Sequence, residues 1–136
     1  MDSKIIKFIK RHHVMTLATL SKEGAPYCSN AFYSFDSEGG RLIFASNSDT
    51  LHGEQMVANP HVAASIVLES KVVGKLQGVQ ICGEVAAADG DDRLKYIAAF
   101  PYAAVAPLTL WRLTINYIKL TDNTLGFGKK LIWKRE

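Results

Sequence analysis

Seven consecutive residues of this chain concentrate hydroxyl, amide and imidazole groups. The segment, residues 46–52, reads SNSDTLH and lies between an apolar strand-like run and a short predicted helix. The first turn of a helix exposes N–H groups at the positive end of the helix dipole, so such a segment can hold a phosphate. The same side chains also cap a helix without any ligand. From the residues alone, capping is the simpler interpretation and anion binding is the alternative.

The other residue types that often carry chemistry form no recognisable catalytic motif. The sequence contains no HExxH, GxSxG or GxGxxG pattern, and it lacks the GxxxxGK[ST] spacing of a phosphate loop. His52 and His61 are nine residues apart, without the neighbouring ligands that zinc requires. Cys28 and Cys82 stand outside any nucleophile motif. We therefore assign no catalytic side chain and expect no metal.

The net charge of +3 is not spread evenly along the 136 residues. Residues 1–11 carry four basic side chains and one acidic side chain, and residues 129–136 carry the same numbers. The intervening residues hold eight basic and eleven acidic side chains, so an acidic body has two basic ends. Nucleic-acid binders usually show a broad basic face or stripe instead. The charge pattern predicts no nucleic-acid partner.

Neither a membrane span nor a secretion signal is predicted. The longest weakly polar stretch, residues 98–110, is interrupted by Pro101 and Pro107 and is too short to cross a bilayer. The apolar residues near the N-terminus alternate with lysines, unlike the apolar core of a signal peptide. Two cysteines without a CxxC spacing suit a reducing compartment. A cytoplasmic location without membrane association is expected.

Hydrophobic periodicity and turn residues predict about six or seven strands with short helices between them. A first helix is predicted over roughly residues 3–12, and the run VMTLATL after it is predicted as a buried strand. Many short strands joined by tight turns favour a mainly β fold that closes into a small barrel, with one domain over residues 1–136. The further predicted strands cover residues 27–35, 41–46, 62–68, 76–87, 108–122 and 129–135.

Two elements carry explicit predictions about their faces. In the strand over residues 27–35, Ala31 and Tyr33 share one face, while Asn30 and Phe32 share the other. The helix that starts at Asp91-Asp92 is predicted to turn an apolar face inward, formed by Leu94, Ile97 and Ala98.

Several blocks of the sequence resemble the FMN-binding split-barrel superfamily, whose best-known member is pyridoxamine-phosphate oxidase. A strand ending in FASN, a hydroxyl-rich segment, a short helix, ANP and an apolar strand follow one another over residues 44–68. NAFYSFD at 30–36, GVQICGEV at 78–85 and above all TDNTLGFGKKLIW at 121–133 are similar to the bacterial YhbP-like branch. The resemblance spans nearly the whole chain and implies a six- to seven-stranded split β-barrel with short flanking helices.

The resemblance also implies a site for the phosphate of FMN in the segment over residues 46–52. Ser46 and Thr50, with Asn47 between them, would surround that phosphate. His52 stands where the oxidases have a phosphate-binding lysine, and Leu51 occupies a position that often holds arginine in relatives.

Four more positions are implicated by the same resemblance. Asn30 and Phe32 lie on the strand that runs along the isoalloxazine ring in relatives, and Gln80 lies on a strand whose polar side chains approach that ring. Lys129 belongs to the basic C-terminal end, which would help to bind an anionic cofactor. The preceding Gly-Phe-Gly, residues 126–128, is similar to a turn in haem-binding members of the fold.

The resemblance implies a flavoprotein that works as a homodimer, with FMN at the interface between the subunits. An oxidoreductase acting on a small molecule of unknown identity is the leading expectation. One alternative is a haem-binding or haem-handling barrel, with His52 or His61 as the iron ligand. The other is a dimeric barrel that has lost its cofactor and serves as a ligand-binding module.

Overall fold

The computed structural model describes residues 1–126 and 128–136. Within them lie three short 3-10 helices, Val73–Lys75, Pro101–Ala104 and Asn123–Leu125. The prediction of a mainly β chain with short helices is confirmed. The described residues form α1 (Ser3–Arg11), β1 (Val14–Leu20), β2 (Pro26–Asp36), β3 (Arg41–Ala45), α2 (Leu51–Ala58), β4 (His61–Leu68), β5 (Gln77–Ala87), α3 (Gly90–Ala99), β6 (Leu110–Asp122) and β7 (Lys130–Lys134).

Six strands close into a barrel, as the sequence predicted. The strand order is β3-β2-β1-β4-β5-β6-β7, and β3 also pairs with β6 to complete the ring. β6 is 13 residues long, so it can pair with both β3 and β7 along one of its edges. Its first part, Leu110–Thr114, pairs with β3, and its later part, Tyr117–Thr121, pairs with β7. β7 is therefore an extra strand outside the closed barrel.

The barrel interior is filled by every second residue of its strands together with one face of α1. Met15 and Leu17 of β1 are fully buried, as are Ile5 and Ile9 of α1. The hydroxyl of Tyr33 on β2 donates to the carbonyl oxygen of Ile9 at 2.6 Å, and burial raises the pKa of that hydroxyl. This bond fixes the end of α1 against β2.

The outer face of the sheet is less covered than the sequence predicted. β1 was expected to be a buried strand, but Val14 is 45% exposed and Thr16 is also exposed. No other layer of the described chain lies over this face of β1. On β2 the predicted alternation is confirmed, because Ala31 and Tyr33 are buried while Phe32 is 55% exposed.

The predicted inner face of α3 is wrong. Leu94 is 67% exposed, Ala98 is exposed and Ile97 is only partly buried, whereas Asp92 and Tyr96 are buried. A prediction from hydrophobic periodicity assigns apolar residues to the buried face of a helix and charged residues to the exposed face. Here the inward carboxylate has specific partners that the pattern does not contain.

Those partners are a helix cap and two arginines from distant strands. Asp92 and Asp89 exchange side-chain and backbone hydrogen bonds in a capping box at the start of α3. The carboxylate of Asp92 also lies 3.9 Å from a guanidinium nitrogen of Arg41 and 3.7 Å from one of Arg112. These contacts hold α3 on the barrel with Asp92 inward.

The C-terminal end of the chain is tied back to the turn between β2 and β3. Arg135 donates to the carbonyl oxygens of Ile115 at 2.8 Å, Gly39 at 2.9 Å and Gly40 at 3.0 Å. Gly40 has a φ of +64°, a conformation that a residue with a Cβ rarely adopts. One basic residue of the tail is therefore structural.

Candidate functional site

The segment over residues 46–52, here called the phosphate segment, connects β3 to α2. Its first residue, Ser46, is buried, and both its backbone amide and its backbone carbonyl are hydrogen-bonded. The amide of Ser46 donates to the carbonyl of Thr109 at 3.0 Å, and its carbonyl accepts from Nε1 of Trp111 at 2.9 Å. The start of the segment is thus fixed by β6, some 65 positions away in the chain.

Thr50 is the N-cap of α2, so the capping interpretation is confirmed. Its hydroxyl accepts from the amide of Gly53 at 3.1 Å and donates to the carbonyl of Asn47 at 2.7 Å. The hydroxyl of Ser46 lies 3.5 Å from that of Thr50. Because the Thr50 proton is donated to Asn47, the hydroxyl of Ser46 is the donor in this long contact and would have to turn away from Thr50 to donate to an anion.

A glycine in the first turn of α2 allows this loop to fold tightly. A Cβ atom built on Gly53 would collide with the carbonyl oxygen of Asn47 and crowd the hydroxyl of Thr50. The backbone of the loop therefore approaches the helix start more closely than any other residue would permit. The amide of Gly53 donates to the Thr50 hydroxyl and that of Glu54 to the Thr50 carbonyl, so the amides of Leu51 and His52 are the first-turn donors outside these capping bonds.

His52 is the residue of the phosphate segment that stands where the oxidases have a phosphate-binding lysine. The side chain is half-buried, and desolvation lowers the pKa of the imidazole below its ordinary value. His52 is therefore neutral at neutral pH in the ligand-free chain. Leu51 beside it is 50% exposed, and Asn47 is exposed as well.

Asn30 and Gln80 lie in one cross-strand row on the outer face of the barrel. Asn30 is paired with Thr16, Thr16 with Ser65, and Ser65 with Gln80. The hydroxyl of Thr16 donates to the side-chain oxygen of Asn30 at 3.3 Å. Three strand spacings separate the ends of this row, or about 14 Å. The row, which continues to Lys119, is called the outer polar row.

Phe32 lies on the same outer face, closer to the phosphate segment. Tyr33 pairs with Phe44, so Phe32 comes level with Ala45, the residue before Ser46. Phe32, one of the predicted ring-contacting positions, is thus level with the residue that precedes the predicted phosphate position. The sequence could suggest this only through resemblance, because the β2–β3 register sets the distance.

Lys129 lies elsewhere on the chain. It follows the 3-10 turn after β6, where its amide donates to Gly126 and its carbonyl accepts from Asp122. The phosphate segment is held at Thr109, just before the opposite end of β6. Within one chain the structure therefore does not bring Lys129 to the phosphate segment. Phe127, from the Gly-Phe-Gly resemblance, lies outside the described residues.

His61 is also separate from this cluster. It begins β4, is exposed, and its Nδ1 lies 3.5 Å from a carboxylate oxygen of Glu84 on β5. In residues 1–126 and 128–136, no group of three or more His, Cys, Asp and Glu side chains could hold a metal ion. None of the helices in those ranges is long and apolar enough to cross a membrane.

The structure also forms a cleft that the sequence did not suggest. It lies between the end of α1, β2 and the end of α3, with a volume of about 520 Å³. The exposed ring of Phe32 meets the ring of Phe100 edge to face, with centroids 5.8 Å apart. These residues are 68 positions apart, so no local pattern could pair them. This feature is called the aromatic cleft.

Known proteins similar to this chain agree with the fold. A UPF0306 protein of Photorhabdus laumondii is 37% identical over 135 residues, which cover 96% of this chain and 94% of that protein. A heme binding protein from Mycobacterium smegmatis has a TM-score of 0.71 at 24% identity; the match covers 90% of this chain and about half, 52%, of that one.

A third match has an even lower identity. A Clostridium acetobutylicum protein, described as related to general stress protein 26 and of the pyridoxinephosphate oxidase family, has a TM-score of 0.69 at 14% identity. The match covers 96% of this chain and 92% of that protein. The family model for pyridoxamine 5'-phosphate oxidase matches residues 1–122, nine-tenths of the length. The resemblance found in the sequence is confirmed, and this chain belongs to the pyridoxamine 5'-phosphate oxidase family.

Proposed function

We propose that this chain binds FMN as a homodimer and acts as a flavin-dependent oxidoreductase on a small molecule. The observation that carries the proposal is the arrangement of the phosphate segment. The buried Ser46 begins this segment, its hydroxyl lies beside that of the N-cap Thr50, and the half-buried His52 stands in the first turn of α2, while Trp111 holds the Ser46 carbonyl in place. Membership of the family supports the choice of FMN over other phosphate-bearing ligands.

The hydrogen-bond donors of this segment fit a phosphate group, but the segment itself carries little positive charge. Ser46 and the first turn of α2 offer hydrogen-bond donors, and the absence of a side chain at Gly53 keeps the loop tight around them. His52 supplies a positive charge only after it takes up a proton. Leu51 adds none. We therefore expect FMN binding that depends on hydrogen bonds and on pH.

In this proposal the side chains of this chain bind and orient, and no acid or base is assigned. Ser46 and the α2 amides would hold the phosphate, while Asn30 and Phe32 lie where the ring would extend along β2. Bound FMN would supply the redox chemistry. Gln80 lies three strands from Asn30 in the outer polar row, so it would serve a ring held mainly by the partner subunit.

The homodimer is proposed because the outer face around these residues is partly apolar and is uncovered in one chain. Phe32, Val14 and Val67 are each about half exposed on neighbouring strands. A second copy of the chain would cover this face and enclose the flavin ring between two subunits. The proposal includes Lys129 only as a contribution from the basic tail of either subunit.

The test is a titration of the apo protein with FMN, after the purified protein has been denatured and its supernatant examined for flavin. Ser46→Ala should weaken FMN binding roughly tenfold or more, as expected for a hydrogen bond to a charged group. Ser48→Ala is the matched control, because Ser48 is an exposed serine in the same segment. Riboflavin, which lacks the phosphate, should bind both variants equally.

Absence of co-purified flavin together with absence of FMN binding would overturn the proposal and favour a barrel without a cofactor. A second candidate, haem binding, is favoured by the structural likeness to a heme binding protein. It predicts a Soret band on haem titration that is lost in His52→Ala or His61→Ala. A weak absorbance that neither substitution changes would exclude this candidate.

A further inference from the structure

The aromatic cleft is a candidate ligand site that is separate from the phosphate segment. Its lining comes from the end of α1, from β2 and from the end of α3, and it includes none of residues 46–52. A volume of about 520 Å³ falls in the range of small-molecule sites. The cleft is open to solvent on one side and has a wall formed by barrel residues.

One wall of the cleft is aromatic. Phe32 exposes 55% of its surface, an unusual fraction for a large ring on a strand that packs its other face into the core. Phe100 meets it edge to face and also packs against the buried ring of Tyr96, with centroids 5.0 Å apart. The wall is therefore supported from behind, and it presents apolar ring surface on which a planar molecule could stack.

Lys10 is the one formally charged side chain in the described lining of the cleft, and it is a cation. Lys10, His12 and His13 at the end of α1 line the cleft, and among the described lining residues there is no acidic side chain. His12 uses Nδ1 in a contact of 2.9 Å with the carbonyl oxygen of Phe8, and its ring stacks on that phenylalanine. Lys10 and His13 are exposed. The side-chain charge at this rim favours an anion.

The same geometry favours a single negative charge over a phosphate dianion. Phosphate dianions are usually held by arginine forks or by helix N-termini. The described lining contains no arginine, and both helices that reach the cleft end there, at Arg11 and Ala99. Helix C-termini carry partial negative charge, which disfavours a second anionic charge on the ligand.

We propose that the aromatic cleft binds a small aromatic carboxylic acid. Its ring would stack against Phe32 and Phe100, and its carboxylate would lie at Lys10 and His13. Binding in the cleft does not require FMN. Only the role of this acid as the substrate rests on the proposed function, since Phe32 lies between the cleft and the expected position of the flavin ring.

The test is a calorimetric titration of the apo protein with 2-naphthoate. Phe100→Leu, which keeps an apolar side chain, should weaken binding roughly fivefold. Lys10→Met should weaken binding roughly threefold. Tyr27→Leu and Lys7→Met are matched controls, because both residues are exposed and lie outside the cleft lining, and they should leave the affinity unchanged. Circular dichroism checks that each variant is folded.

Three ligand results would overturn the proposal. These are no saturable binding of 2-naphthoate, equal binding of the neutral 2-naphthylmethanol, or tighter binding of pyridoxine 5'-phosphate. A fourth is a change in dimer dissociation without a change in ligand affinity in Phe100→Leu, which would make the cleft a subunit interface. A parallel FMN titration separates the two proposals, because loss of FMN binding with intact 2-naphthoate binding removes only the proposed function.

Discussion

At the scale of single residues, Thr50 in the phosphate segment has two candidate functions, helix capping and phosphate binding. Thr50 caps α2 and donates its proton to Asn47, so the residue that the resemblance implicates in phosphate binding is already part of the helix start. Ser46 has no such role in the cap and differs from Thr50 in being buried. In the proposed function, phosphate binding therefore depends on Ser46, the amides of Leu51 and His52, and the imidazole of His52.

On the proposed function, we expect His52 to make FMN binding pH-dependent. Because burial lowers the pKa of its imidazole, the proton must be taken up when the phosphate arrives. FMN affinity should therefore be higher at about pH 6.5 than at about pH 8, in the range where histidine titrates. His52→Gln should remove this pH dependence, and His52→Lys should remove it while tightening binding. Riboflavin is the control ligand, and an equal pH dependence for riboflavin would contradict the role of His52.

The same group predicts the opposite trend for the stability of the ligand-free protein. A histidine with a lowered pKa in the folded state binds a proton more readily when the chain unfolds. Its stabilising contribution is complete above the unfolded pKa of about 6.5 and declines as the pH falls through that value. Urea denaturation of the wild type and of His52→Gln measures this difference directly.

Trp111 is the residue that positions Ser46 from outside the segment. Trp111→Phe removes the Nε1–H that donates to the Ser46 carbonyl and leaves a buried acceptor without its partner. We expect a loss of about 1–3 kcal/mol of unfolding free energy and weaker FMN binding with unchanged riboflavin binding. Trp133→Phe on β7 is the matched control. Equal losses in the two variants would show that Trp111 acts only through packing.

At the scale of elements, α3 shows why a helix face can be misjudged. Leu94, Ile97 and Ala98 form an apolar stripe, yet α3 turns Asp92 and Tyr96 inward. The buried carboxylate is stabilised by a capping box and by Arg41 and Arg112, which come from two other strands. α3 in turn ends at the cleft, so its anchoring sets the place of Phe100.

Removing that carboxylate should loosen α3. Asp92→Ala removes half of the capping box and the carboxylate that both arginines approach, while Arg112 keeps Asp89 at 3.4 Å, so we expect a loss of about 2 kcal/mol of unfolding free energy. Asp91→Ala is the control, since its ion pair with Lys95 is at the surface and should contribute little to stability. Denaturant unfolding compares the two, and similar losses would contradict the assignment.

At the scale of the whole molecule, the uncovered outer face is the feature that a second copy would complete. Val67 is 57% exposed on β4, and the β1–β4 register brings it level with Val14, which pairs with Phe32. Three half-exposed apolar side chains in one row form a contiguous apolar patch, and such patches often mark interaction surfaces. This row crosses the strands beside the outer polar row.

Val67→Lys should therefore shift the protein from dimer to monomer and weaken FMN binding with it. A lysine in this row would be desolvated without an acidic partner, which costs more than the lost apolar contact. Sedimentation velocity measures the shift. Val57→Lys is the control, because Val57 is 69% exposed on α2 and lies outside the sheet. An unchanged dimer in Val67→Lys would place the interface elsewhere.

Local patterns in the sequence determined the strands, the helices, the alternation of β2 and the hydroxyl segment at the start of α2. Strand alternation and capping depend on residues a few positions apart, so the sequence displays them directly. The tertiary structure alone decided the closure of β3 on β6, the hydrogen bond from Trp111 to Ser46, the inward turn of Asp92 and the meeting of Phe32 with Phe100. Each of these joins residues far apart in the chain, and only the pairing register and the packing of the barrel bring them together.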